Sequence, residues 1–178
     1  MTLPLREIQA YVARVAIGPS TVRGQGEGLV ASARESCSSM PLNTFATSSE
    51  SDFINAFDKA TGIVMIRMPE PTRSWGMARK IVSIFLRDAL YNTYLSNAYQ
   101  LHACELFLEL PLDSITTKYL KACSGRGALP RWSGIKYLTE IDNSLFQKRA
   151  AQVAASKNIA RVHLDAVWWG MRPDAGAA

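Results

Sequence analysis

The sequence runs Arg73-Ser-Trp-Gly-Met-Ala-Arg-Lys-Ile-Val-Ser-Ile-Phe-Leu-Arg87 near the middle of the chain and Leu108-Glu-Leu-Pro-Leu-Asp-Ser-Ile115 a little later. The first stretch has apolar residues at helical spacing, which predicts a helix over residues 74–96 that carries Lys80. In the second stretch Asp113 precedes a new helical pattern, so it is expected to open a helix that ends near residue 123. We therefore expect the Lys80 amine and the Asp113 carboxylate, 33 positions apart, to meet across a groove.

Helical patterns also dominate the rest of the chain. Apolar residues recur at helical intervals, for example at Leu5, Ile8 and Val12. Only residues 63–68 are short and β-branched enough for a strand, and because a lone strand has no partner, a buried extended segment or a helix end is preferred. The sequence therefore predicts a mainly α fold. The further predicted helices cover residues 4–17, 28–37, 51–60, 100–108, 134–156 and 158–169.

Length and composition are those of one globular domain. The 178 residues are 48% hydrophobic and 20% charged, which excludes a disordered chain. We expect a single compact helical domain over residues 1–172 and a frayed tail at residues 173–178. No run of about 18 apolar residues is present, so no membrane partner is expected. The three cysteines lack a paired spacing, which suggests reduced thiols and a cytoplasmic location. We also expect a monomer.

Positive charge is concentrated in the last third of the chain. The net charge is +5, and residues 114–178 carry ten Lys and Arg against four Asp and Glu. Such a basic surface suits a phosphate backbone, although the same residues also suit a solvated helix surface. The basic residues concerned are Lys118, Lys121, Arg126, Arg131, Lys136, Lys148, Arg149, Lys157 and Arg161.

The order of a lysine-bearing helix, an apolar segment and a Pro-x-Asp helix start resembles the helix-hairpin-helix DNA glycosylase superfamily. Trp75-Gly-Met-Ala-Arg-Lys80 is similar to its junction between hairpin and helix, and Leu110-Pro-Leu-Asp-Ser114 is similar to its aspartate segment. The lysine-to-aspartate spacing looks most like the archaeal 8-oxoguanine glycosylase branch. The resemblance covers residues 73–169, with one glycine in place of the usual Gly-x-Gly and no cysteine cluster for an iron–sulfur centre.

This resemblance implies an enzyme that flips a modified or damaged base out of double-stranded DNA and excises it without a cofactor. Asp113 is then expected to stabilise the oxocarbenium-like sugar or to activate water, and Lys80 to serve as a Schiff-base nucleophile if burial lowers its pKa. Each residue also has a simpler interpretation. Asp113 suits an ordinary helix N-cap, a role compatible with catalysis, and Lys80 suits a surface lysine.

A glycosylase must stack the flipped base and hold the DNA backbone. Trp132 is the preferred stacking residue because it follows Arg131 in a basic loop. The glycine-rich turn over residues 24–28 lacks the preceding strand of a phosphate-binding motif. Arg23 and Gln25 are therefore expected only to line the pocket. The expected DNA- and base-binding residues are Trp75, Gly76, Arg79, Arg131, Trp132, Gln25 and Arg23.

Other functions need fewer assumptions about chemistry. A non-catalytic helical module that binds DNA through its basic last third is the main alternative to an enzyme, and a helical interaction protein is a third hypothesis. The chain has two histidines, in His102-Ala-Cys104 and His163-Leu-Asp165. Their spacing is not that of a metal site, so no metal is expected and hydrogen-bonded core histidines are preferred.

Overall fold

The computed structural model of the protein describes residues 4–24 and 26–171. Over these ranges the chain has eight α-helices, five 3₁₀ segments and no β-strand, so the predicted mainly α fold is confirmed. The α-helices are α1 (Leu5–Ala16), α2 (Leu29–Ser38), α3 (Glu50–Arg67), α4 (Trp75–Tyr91), α5 (Thr93–Ala98), α6 (Ser114–Ala122), α7 (Glu140–Ala155) and α8 (Leu164–Gly170). The 3₁₀ segments are Leu42–Phe45, Glu70–Thr72, Leu101–Phe107, Ile135–Tyr137 and Arg161–His163. The predicted frayed tail lies outside the described residues.

Helix boundaries follow from capping residues and prolines. Helix α3 begins after Ser49, whose hydroxyl accepts a hydrogen bond from the Asp52 amide. Residues 63–67 form the last part of this helix and Met68 caps its end, so the helix-end interpretation of segment 63–68 is correct and the buried extended segment is wrong. The helix stops at Met68, which has an extended ψ of 144°. The reason is that a residue before a proline, here Pro69, avoids the α conformation.

The long helix predicted over residues 74–96 is in fact two helices. Asn92 separates them: it ends α4 with an extended backbone, and its side chain accepts a hydrogen bond from the Leu95 amide at 3.0 Å. The helix predicted from residue 134 likewise begins later, after Thr139, which caps α7. In both cases a side-chain cap sets a helix boundary inside the predicted range.

Helix α4 is central to the interior. Twelve of its 17 residues are buried, and it packs against α1, α3 and the Ile135–Tyr137 segment. Lys80 and Arg87 are among the few positions of α4 that remain partly open. No helix in the described ranges has the length and apolar character that crossing a bilayer requires.

Two groups of buried apolar side chains form the interior, and an ion-pair network joins them. One group lies among α1–α5 and includes Phe53, Phe57, Ile81 and Phe85. The other lies among α6–α8 and includes Leu120, Phe146, Leu164 and Trp168. Between them, Arg79 of α4 forms two hydrogen bonds to Glu109, at 2.7 and 3.0 Å, and one to Asp58 at 2.6 Å. This network fixes α4 relative to α3 and to the segment that leads into α6.

Candidate active site

A cavity of about 600 Å³ lies beside α4. It is bounded by the end of α1 and the following loop, by the start of α6, by residues 132–135 and by α8, and we call it the central cavity. Unlike a purely apolar pocket, it is lined by charged side chains of both signs. The charged lining residues are Arg23, Lys80, Arg87, Asp88, Asp113 and Asp165.

Asp113 enters the central cavity as the N-cap of α6. Its Oδ1 accepts hydrogen bonds from the amides of Ile115 and Thr116 at 2.8 and 2.9 Å. In return, the Asp113 amide donates to the Thr116 hydroxyl at 2.9 Å, which completes a capping box. The helix-cap interpretation is therefore correct, and it uses one carboxylate oxygen. The other oxygen, Oδ2, faces Lys80, and the side chain stays 30% exposed.

The Lys80 amine lies near Asp113 Oδ2. Its Nζ lies 4.0 Å from Asp113 Oδ2 and donates a hydrogen bond to the Thr21 carbonyl at 3.0 Å. The side chain is 10% exposed, so the surface-lysine interpretation is wrong. Burial lowers the pKa of Lys80, and the nearby Asp113 and Asp165 carboxylates offset this only in part. A lowered pKa increases the fraction of neutral, nucleophilic amine at a given pH.

The Thr21 carbonyl that binds Lys80 belongs to a turn that was not predicted as part of the site. The Thr21 hydroxyl donates to the Ala16 carbonyl at 3.0 Å and accepts a hydrogen bond from the Gly18 amide at 3.2 Å. These two bonds close the turn after α1 and aim the Thr21 carbonyl at Lys80. No sequence signal identifies such a main-chain acceptor, because it is 59 positions away from the lysine.

Arg87 and two carboxylates occupy another part of the same cavity. Arg87 Nε donates to Asp88 Oδ1 at 2.8 Å, and its Nη1 bonds to Asp165 Oδ2 on α8. Burial by itself would lower the pKa of the guanidinium, but the carboxylates of Asp88 and Asp165 outweigh it and raise that pKa. This group was not among the residues predicted from the sequence. The seven-residue spacing from Lys80 was the available signal, since it places Arg87 on the same face of α4.

Two of the expected DNA-binding side chains, Arg23 and Trp132, line the central cavity. Trp132 packs edge-on against Phe146, with ring centroids 6.0 Å apart. Arg131 is exposed beside Trp132 and does not line the cavity. Gln25 lies outside the described residues. The structure thus brings Lys80, Asp113, Trp132 and Arg23 together around the central cavity.

The other three expected DNA-binding residues do not line the central cavity. Arg79 is 6% exposed, is paired with Glu109 and Asp58, and lies 3.7 Å above the Phe57 ring. Gly76 is also buried, and a Cβ there would stand 2.2 Å from the Ile135 carbonyl oxygen. Trp75 is half-buried against the α6–α8 core group and does not line the cavity. These positions correct the expectation for Arg79 and Gly76, because neither is accessible to a DNA backbone.

The histidines form a separate hydrogen-bonded group. His163 Nε2 lies 2.6 Å from Glu105 Oε1, and its Nδ1 lies 2.9 Å from the Tyr91 hydroxyl. His102 is more exposed, with Nδ1 3.7 Å from Glu105 Oε2. In the part of the chain that the structure describes, no cluster of three or more His, Cys, Asp or Glu side chains is arranged to hold a metal ion.

Comparison with known proteins gives no information on the function of this protein. No protein-family model, no curated protein and no solved structure matches the chain. The resemblance to the helix-hairpin-helix glycosylases therefore remains a prediction from the motif residues.

Proposed function

We propose that this protein is a DNA glycosylase that extrudes a modified or damaged nucleotide and cleaves its N-glycosidic bond. The observation that carries the proposal is the 4.0 Å distance between Lys80 Nζ and Asp113 Oδ2 inside the central cavity. At about 600 Å³, the cavity is within the usual range for sites that enclose a small organic ligand. An amine and a carboxylate so close together in a shared cavity are suited to act on one carbon atom.

Asp113 provides electrostatic stabilisation in this proposal. When the bond between C1′ and the base nitrogen breaks, its electron pair leaves with the base, which takes up a proton. The sugar is left with oxocarbenium character. The amides at the start of α6 favour the ionised form of Asp113, and Oδ2 is the oxygen that remains to face C1′. In a hydrolytic reaction, the same carboxylate accepts the proton of the water that adds to C1′.

Lys80 provides a nucleophile for a second outcome. Its neutral amine donates its lone pair to C1′ as the base departs, and the resulting ammonium loses a proton to Asp113. The bond between C1′ and O4′ then breaks as O4′ takes that proton from Asp113, which leaves a protonated imine between the lysine and the opened sugar. The hydrogen bond to Thr21 and the low exposure of the side chain hold the amine ready for this step.

The DNA contacts follow from charge and from the position of Trp132. Trp132 lines the cavity and offers a ring face or edge to an extruded base, while the exposed Arg131 is available to a phosphate. The excess of basic residues over positions 114–178 also supports a DNA partner. That same excess favours a second candidate function, a non-catalytic module that binds DNA without changing it.

The test is base release from duplexes that each contain one modified base, measured as free base and as alkali-labile abasic sites. We expect Asp113→Asn to lower the rate by about 10²- to 10⁴-fold. Lys80→Gln is expected to abolish the covalent adduct that borohydride traps by reducing the imine. Asp52→Asn and Lys59→Gln, both exposed on α3, are the matched controls and should keep wild-type rates.

Wild-type turnover by Asp113→Asn would refute the role of the aspartate. Salt-sensitive binding of duplexes, with no base released from any of them, would favour the non-catalytic module instead.

A further inference from the structure

We infer that Arg87 reads the far edge of the extruded base and selects bases that present hydrogen-bond acceptors there. Such an edge has a keto oxygen, alone or beside a ring nitrogen, whereas the disfavoured edge has an exocyclic amino group. The inference rests on the proposed function, because it assigns the base to the central cavity.

The position of Arg87 along α4 supports this role. Lys80, Ile84 and Arg87 all line the cavity and lie on one face of the helix. Seven residues span about 10 Å of helix axis, so the two side chains leave α4 at different points along the cavity. The Lys80–Asp113 pair marks the place of C1′. A base that extends from C1′ along α4 directs its far edge towards Arg87, whose side chain leans back towards the start of the helix.

Arg87 is held in one orientation and retains donors for a ligand. Asp88 accepts from Nε and Asp165 accepts from Nη1, and the side chain is 18% exposed. A guanidinium has five N–H donors and no acceptor. Among the described residues, none accepts a hydrogen bond from Arg87 Nη2. The side chain is therefore oriented in advance, and its Nη2 donors are available to a substrate.

The chemistry of these donors determines the class of base. Guanidinium N–H groups pair with keto oxygens and ring nitrogens, as arginine does with guanine in DNA grooves. An exocyclic amino group would place N–H against N–H. Asp88 and Asp165 also line the cavity and would favour the amino edge if they faced the base in place of Arg87. The two arrangements therefore predict opposite preferences.

The experiment measures affinity without requiring cleavage. Duplexes of one sequence would carry a 2′-fluoroarabino target nucleotide, which resists glycosidic cleavage. Two pairs of target bases would be compared: hypoxanthine with N6-methyladenine, and uracil with 5-methylcytosine. By fluorescence anisotropy, we expect the keto base of each pair to bind about 5- to 150-fold more tightly. Arg87→Lys keeps the charge but loses the planar fork, so this ratio should approach one. Arg131→Lys, the matched control, should change both affinities equally and leave the ratio intact.

Each outcome separates this inference from the proposed function. Equal affinities, or a preference for the amino base, would overturn the role of Arg87, and base release would still stand as evidence for a glycosylase. A keto preference that disappears in Arg87→Lys, without base release from any cleavable duplex, would support Arg87 and contradict the glycosylase. If no duplex binds, both fail.

A second variant guards against a loss of folding in Arg87→Lys, which a thermal melt would detect. Asp88→Asn retains the guanidinium but weakens the acceptor of its Nε, and Asp88 is half-buried beside the cavity. We expect it to lower the keto preference while leaving Arg87 in contact with Asp165. A preference unchanged in both folded variants would overturn the inference.

Discussion

At the scale of single residues, the main feature is that the two oxygens of one carboxylate have different partners. Asp113 Oδ1 caps α6 through two main-chain amides, and Oδ2 faces the Lys80 amine at 4.0 Å. Because the cap fixes the side chain, the second oxygen has a defined direction without help from other side chains. The helix-cap and catalytic interpretations of Asp113 are therefore compatible, as the sequence analysis expected.

The lowered pKa of Lys80 predicts how adduct formation depends on pH. Burial favours the neutral amine, so the borohydride-trapped yield from a reactive duplex should rise with pH and level off below about 10.4, the ordinary pKa of lysine. The folded state then binds fewer protons than the unfolded state between the lowered pKa and about 10.4. In that window the contribution of Lys80 to the free energy of unfolding should rise with pH.

The measurement is the initial rate of trapping across pH, with chemical denaturation of wild type and Lys80→Gln at the same pH values. A trapping rate that keeps rising through pH 10.4 would show that the amine titrates like an exposed lysine. Such a result would contradict the desolvated environment that the structure gives it.

At the scale of elements, the close approach of α4 to the Ile135–Tyr137 segment shapes one wall of the cavity. Gly76 permits it, since a Cβ there would stand 2.2 Å from the Ile135 carbonyl oxygen and 2.7 Å from Leu138 Cβ. Ile135 and the nearby Trp132 both line the cavity. The glycine that resembles part of a DNA-binding hairpin in the sequence therefore has a packing role in the fold.

Substitution of Gly76 tests that role. We expect Gly76→Ala to lower the free energy of unfolding by about 1–3 kcal/mol, because the backbone of the 135–138 segment must shift to admit the methyl group. Gly62→Ala is the matched control: it lies within α3 with open space around its Cβ position, and it should raise stability by up to about 1 kcal/mol. Urea denaturation measures both. Equal effects of the two substitutions would show that the close contact is not required.

At the scale of the whole molecule, the charge asymmetry predicts how DNA binding responds to salt. Each phosphate contact adds about 0.9 to the slope of log affinity against log salt concentration. We expect Arg131→Gln to reduce this slope by roughly one and to weaken all duplexes alike. Lys59→Gln, outside the basic last third, should leave the slope unchanged. A slope near zero in wild type would contradict a phosphate-binding surface and favour an interaction protein without a nucleic-acid partner.

Sequence alone determined the features that depend on near neighbours. Helical periodicity predicted the mainly α fold, and the local pattern after Pro111 predicted the start of α6 at Asp113. The predicted helix over residues 74–96 was too long, because the side-chain cap at Asn92 competes with a periodicity that continues past it. Local hydrogen bonds and apolar spacing explain both the successes and this error.

Only the tertiary structure decided which charged side chains share the central cavity. Lys80 and Arg79 are adjacent on α4, yet the turn of the helix directs Lys80 to Asp113 and Arg79 into the buried pair with Glu109. Nothing local distinguishes the two, since burial and ion pairing depend on partners about thirty positions away. Sequence thus determined the helices and the cap that orients Asp113, whereas packing of α4 decided which cations are buried in ion pairs and which line the central cavity.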